Sequence, residues 1–149
     1  MREIEAKFPA DDNGATTPIR VGSLSEAQWV MARALQVGEW ERSMTHGELL
    51  AYLDEEVGEF REAVTDWERE PSVIAETKLM QELSDVLLQV LFHAELARRR
   101  GVFDLEDVAA AFVDKMRSRA PYLFSGGDRV VARAEQERLW AEGKRREAR

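Results

Sequence analysis

The stretch THGELLAYLDEEVGEFREAVTDWEREP, residues 45–71, decides the fold class. Leu49, Leu53, Val57, Phe60, Val64 and Trp67 recur at steps of four and three, which is the period of an α-helix and not of a strand. Thr45, followed three residues later by Glu48, has the form of a capping box at its start, and Pro71 ends it. On such a helix Glu55, Glu56 and Glu59 fall within an arc of about 100°, because each residue advances about 100° around the axis.

Working outward from this helix, the chain reads as all-α. A first helix follows Ser23 or Ser25 as cap, carries Leu24, Trp29, Val30, Ala34 and Leu35, and closes at Gly38. A third runs from about Ser72 or Ala75 to Arg100, with three arginines in its last turn and Gly101 as its stop. A fourth opens near Asp104 and Asp107 and reaches about Ala120 before Pro121. Gly126 and Gly127 form a turn before a charged last helix from about Asp128. The expected architecture is a bundle of about four core helices with a C-terminal tail helix, occupying residues 23–149. Residues 1–22, with Pro9, Asp11, Asp12, Asn13, Gly14 and Pro18, read as an irregular leader. No strand pattern or internal repeat stands out.

On the third helix Leu83, Val86, Leu87, Val90, Leu91 and Ala94 form a core stripe, with Leu88 and Phe92 off it. From Val86 to Phe92 it is apolar almost all round, which implies burial on every side. A chain of 149 residues can hardly surround one helix unaided, so packing against a partner subunit, as a homodimer or homotetramer, is expected.

Composition narrows the chemistry. Charged residues are 34% and the net charge is −8, so a broad basic face for nucleic acid is not expected. The longest uncharged apolar stretch, Val86 to Ala94, is far short of the roughly 20 residues of a membrane span. Residues 1–10 alternate charged and apolar types and do not read as a secretory signal. The chain has no cysteine, which excludes disulfides and thiolate metal sites and fits a cytoplasmic location. An acidic protein can still take a small polyphosphate if a cation stands between them.

The acids supply a place for that cation. Glu82 and Asp85 are three apart on the third helix, with Lys78 one turn before Glu82. Antiparallel packing of the two helices brings Glu55, Glu56, Glu59, Glu82 and Asp85 to one groove. Five converging carboxylates repel one another unless a hard, oxygen-seeking ion such as Mg²⁺ or Mn²⁺ joins them. A diiron reading fails, because the residues three before His46 and His93 are Ser43 and Val90 rather than glutamates. Both histidines are expected to be structural, His93 as a satisfied core residue.

Glu55-Glu56-Val57-Gly58-Glu59 followed by Glu82-Leu83-Ser84-Asp85 resembles the Glu-Glu-x-x-Glu and Glu-x-x-Asp signature of the MazG nucleoside triphosphate pyrophosphohydrolases. Residues 83–94 and 101–108 are similar to that family's third helix and the turn after it. Lys115-Met116-Arg117-Ser118-Arg119-Ala120-Pro121 resembles its Lys-x-x-x-Arg-His-Pro element, and Trp140 with Lys144 its Trp-x-x-x-Lys element. Gly38-Glu39-Trp40-Glu41 stands where the family has Cys-Pro-Trp-Asp; Ala120 and Tyr122 replace two histidines, and Ser84 a glycine.

The resemblance implies cleavage of a nucleoside triphosphate between the α and β phosphates, giving monophosphate and pyrophosphate. It implies Mg²⁺, or Mn²⁺ in its place, on Glu56, Glu59, Glu82 and Asp85, with Glu55 handling the attacking water. Lys78, Lys115, Arg119, Trp140 and Lys144 would contact substrate, the lysines and the arginine its phosphates and Trp140 its base. Two other readings of the scaffold are a relative restricted to dUTP, dCTP or phosphoribosyl-ATP, and a non-catalytic helical interaction module.

Overall fold

The computed structural model describes residues 22–149 and the backbone of two short strands before them. Strand β1 (Glu3–Ile4) pairs antiparallel with β2 (Ile19–Arg20), Glu3 opposite Arg20 and Ile4 opposite Ile19. This pairing departs from the strand-free expectation; two residues are too few for alternation to register in a sequence. The rest of the 1–22 leader lies outside the described residues.

The described residues form α1 (Leu24–Val37), α2 (Glu39–Ser43), α3 (His46–Arg69), α4 (Val73–Arg99), α5 (Leu105–Arg119) and α6 (Arg133–Glu147), with a 3₁₀ turn at Pro121–Leu123. They divide into two compact units, residues 1–104 and 105–149. The helix starts follow from local chemistry. The Ser23 hydroxyl accepts from Glu26 N–H, and the Ser72 hydroxyl from Ala75 N–H. Thr45 and Glu48 make the reciprocal capping box that their spacing predicts. Gly101 ends α4 at φ +72°, a conformation that favours glycine.

Helix α2 was not foreseen. Gly38 ends α1 and also caps α2, whose Trp40 sets its ring edge-on to Tyr52 of α3 and Phe92 of α4. In the second unit, α6 begins at Arg133 rather than near Asp128, since β-branched Val130 and Val131 disfavour a helical start.

Within the first unit, α3 and α4 run antiparallel, His46 meeting His93 at one end and Glu56 meeting Asp85 further along. Leu35, Leu49 and Phe92 form the fully buried centre, with Ala63, Ala94 and Ala97 letting the backbones approach. The core stripe expected on α4 needs correction. Leu91 and Ala94 are buried, but Leu83 is 52% and Val90 40% exposed, whereas off-stripe Phe92 is buried. Within this unit α1 and α3 pack along α4, while Leu83, Leu87 and Val90 on its middle turns are exposed.

The two histidines form a tie between α3 and α4. Arg100 can only donate, so at 2.7 Å from it His46 Nε2 accepts. A neutral His46 then carries its proton on Nδ1 and donates to His93 Nδ1 at 2.7 Å, the rings stacked 5.0 Å apart. His93 keeps its proton on Nε2, which is buried without a hydrogen-bond partner, so it is only half satisfied. Burial, and then the neighbouring His46, hold the His93 pKa below its ordinary 6.5.

Candidate active site

Antiparallel pairing sets α3 position 56 beside α4 position 85, and one turn on each helix adds Glu59 and Glu82. The four carboxylates converge, each offering an oxygen within 4.8 Å of the others. Glu82 is 4% exposed and Glu59 is open to solvent, so the group spans the range from interior to surface. Glu56 Oε2 and Glu82 Oε2 are both buried with no hydrogen-bond partner. A buried, unpaired carboxylate oxygen is costly unless a cation meets it. Burial, then the charges of Asp85, Glu59, Glu55 and Glu82, raise the Glu56 pKa above its usual 4.5. An all-oxygen donor set with two orphaned oxygens fits a hard divalent ion.

Glu55 stands outside this foursome, exposed, yet close enough for its charge to act on Glu56. Lys78 is engaged by Glu82 at 2.5 Å, the i,i+4 ion pair that its spacing allows, and this contact raises the lysine's pKa. Gln89 was missed as a site neighbour: one turn beyond Asp85, it is buried with its Oε1 unpartnered. Its place at i+4 from Asp85 was the available signal. On the α1 side of α4 lies a separate apolar pocket of about 310 Å³, lined by Ala27, Val30, Ser84, Leu87 and Leu91 among others.

The remaining expected residues belong to the second unit. There the two motifs meet: the Arg119 guanidinium lies 5.1 Å from the Trp140 ring centroid. The approach requires glycine at 143, where a Cβ would fall 2.8 Å from the Ser118 carbonyl oxygen and from Arg119 Cγ. Arg146 donates to that Ser118 oxygen at 2.7 Å. Lys115 and Lys144 are exposed. Arg119 also holds Glu147, which sequence reasoning passed over; Trp140, Gly143 and Glu147 step by three and four along one face of α6. Tyr122, in a histidine's place, has its hydroxyl held by Gln136 at 3.1 Å, while Ala120 is buried.

Residues 44–124, more than half of the chain, match the model of the MazG nucleotide pyrophosphohydrolase domain. The chain belongs to the MazG family. It is 42% identical over 86 residues to the nucleoside triphosphate pyrophosphohydrolase/pyrophosphatase MazG of Thermotoga maritima, covering 58% of this chain and 31% of that one. A nucleoside triphosphate pyrophosphohydrolase of Mycolicibacterium smegmatis is 34% identical over 148 residues, 97% of this chain and 43% of its own length. The MazG chain thus spans less than half of either relative. Among solved structures, the mazG-related protein from Thermotoga maritima superposes with a TM-score of 0.66 at 27% identity, over 80% of this chain and 98% of that one. The all-α expectation is therefore met. No helix among the described residues is long and apolar enough to cross a membrane.

Proposed function

We propose that this MazG chain is a hydrolase of nucleoside triphosphates, cutting between the α and β phosphates to release monophosphate and pyrophosphate. The observation that carries the reading is the convergence of Glu56, Glu59, Glu82 and Asp85 with two buried oxygens left unpaired. Those four residues hold Mg²⁺, with Mn²⁺ as a substitute. A bound divalent ion supplies charge neutralisation for the triphosphate and a more acidic water. Glu55, exposed at the edge of the cluster, takes the proton of the attacking water on its carboxylate. Lys78 pairs with Glu82 and holds that carboxylate in place. Lys115, Arg119 and Lys144 answer the negative charge of the phosphates, and Trp140 offers a face to the base. The relatives' names, nucleoside triphosphate pyrophosphohydrolase, agree with this chemistry.

The same reading includes self-association, as a homodimer or homotetramer in the cytoplasm. Leu83, Leu87 and Val90 on α4 form the open apolar face that a second copy covers. The test of function is a panel of common NTPs and dNTPs with Mg²⁺, assayed for pyrophosphate. Release from one or more of them, abolished by Glu59→Ala, is expected. Orthophosphate as the sole product, or no turnover on any nucleotide, overturns the proposal.

A further inference from the structure

The second unit holds an anion cradle that is already filled. Arg119, 17% exposed, projects from the last turn of α5, with Lys115 one turn before it and Trp140 flanking its guanidinium. Its Nε and Nη2 donate to Glu147 Oε2 and Oε1 at 3.0 and 3.1 Å, a two-pronged fork. The Ser118 hydroxyl donates to the same carboxylate at 3.4 Å. Arg119, and more weakly Ser118 and Lys115, hold the Glu147 pKa below its ordinary 4.5. A guanidinium presents this Nε/Nη2 fork equally to a carboxylate and to a phosphate, and the one fork cannot serve both at once.

The location of Glu147 strengthens the point. It closes α6, where the helix dipole is negative and where Lys144, Arg145 and Arg146 are the residue types that suit a C-terminus. A glutamate there is disfavoured by the dipole and is held by Arg119 instead. We infer that Glu147 is an internal stand-in for phosphate: it occupies the Lys115–Arg119 cradle and gives way to a phosphate group of the substrate or of the pyrophosphate product. The inference rests on the reading that Lys115 and Arg119 bind phosphate. It adds a competing anion carried by the chain itself, which lowers the apparent affinity of the cradle.

The test uses the full chain with inorganic pyrophosphate and Mg²⁺ in a calorimetric titration, together with KM for whichever nucleoside triphosphate is turned over. Glu147→Gln keeps the shape and removes the charge. Since a partly exposed ion pair is a weak competitor, pyrophosphate should bind about two- to fivefold tighter, with KM falling by a similar factor. Glu147→Asp, which keeps the charge but shortens the reach, should lie between the two and serves if the glutamine variant folds poorly. In an Arg119→Ala background Glu147→Gln should have no further effect. Unchanged or weaker binding in both Glu147 variants, with Arg119→Ala also weaker than wild type, makes the pair a structural tie only and overturns the inference. Unchanged binding and KM in Arg119→Ala defeats the phosphate-binding reading itself, whatever Glu147 does.

Discussion

Replacing Glu56 by Gln should make the metal-free protein more stable and the metal-bound protein less so. Charges 4.8 Å apart repel by about 0.9 kcal/mol in water and by about 3.5 kcal/mol at an effective dielectric of 20. Glu56 lies between these limits, since its Oε2 is covered while Glu59 beside it is exposed. Lys78 already offsets part of the Glu82 charge. Relief of roughly 1 kcal/mol is therefore expected, which raises Tm by about 2–4 °C in a chain of this length. The gain reverses with metal. An ion at ten times its dissociation constant stabilises the wild type by about 1.4 kcal/mol, and a variant lacking one of four ligands loses most of that. Thermal melts in EDTA and in excess Mg²⁺ read both halves. A lower Tm for Glu56→Gln in EDTA would mean that Glu56 is not repelled by its neighbours, and an undiminished Mg²⁺ shift that it does not hold the ion.

Three further outcomes are expected. The His93 pKa is depressed in the folded state, so between that value and 6.5 the unfolded chain binds the extra proton and stability falls as pH falls, by at most about 1.4 kcal/mol per pH unit. Urea midpoints at pH 5.5 and 7.5 should show this fall in the wild type and a smaller one in His93→Gln. Gly143→Ala gains about 1 kcal/mol of helix propensity but meets Ser118 O and Arg119, an overlap costing about 1–3 kcal/mol, so a net loss of about 1 kcal/mol by chemical denaturation is expected; a stabilised variant contradicts the close approach of α5 and α6. Thr45→Ala removes the capping box and should cost about 1 kcal/mol by the same measurement.

Those features that depend on neighbours within four residues were legible in the sequence. The Thr45–Glu48 box, the Ser72 cap and the Gly101 stop all fall where their local chemistry puts them. The acid pairs were legible for the same reason, because helical spacing fixes the face on which Glu56, Glu59, Glu82 and Asp85 lie. What escaped reading depends on which surfaces meet. Periodicity marks Leu83 and Val90 as apolar positions, yet it cannot say whether α1, α3 or another copy covers them. The His46–His93 tie joins residues 47 apart, and the Arg119–Glu147 pair residues 28 apart. Neither leaves a local pattern beyond the Trp140, Gly143, Glu147 face of α6, whose meaning needs the neighbouring helix. Helix α2, only five residues long, is too short for a periodic signal.

In the proposed reaction water attacks the α-phosphorus of a nucleoside triphosphate under the control of the α3–α4 carboxylates. Hydrolysis in ¹⁸O-labelled water with Mg²⁺, followed by mass spectrometry of both products, tests it most directly. One labelled oxygen in the nucleoside monophosphate and none in pyrophosphate is the predicted result, and label appearing in pyrophosphate or orthophosphate would contradict it.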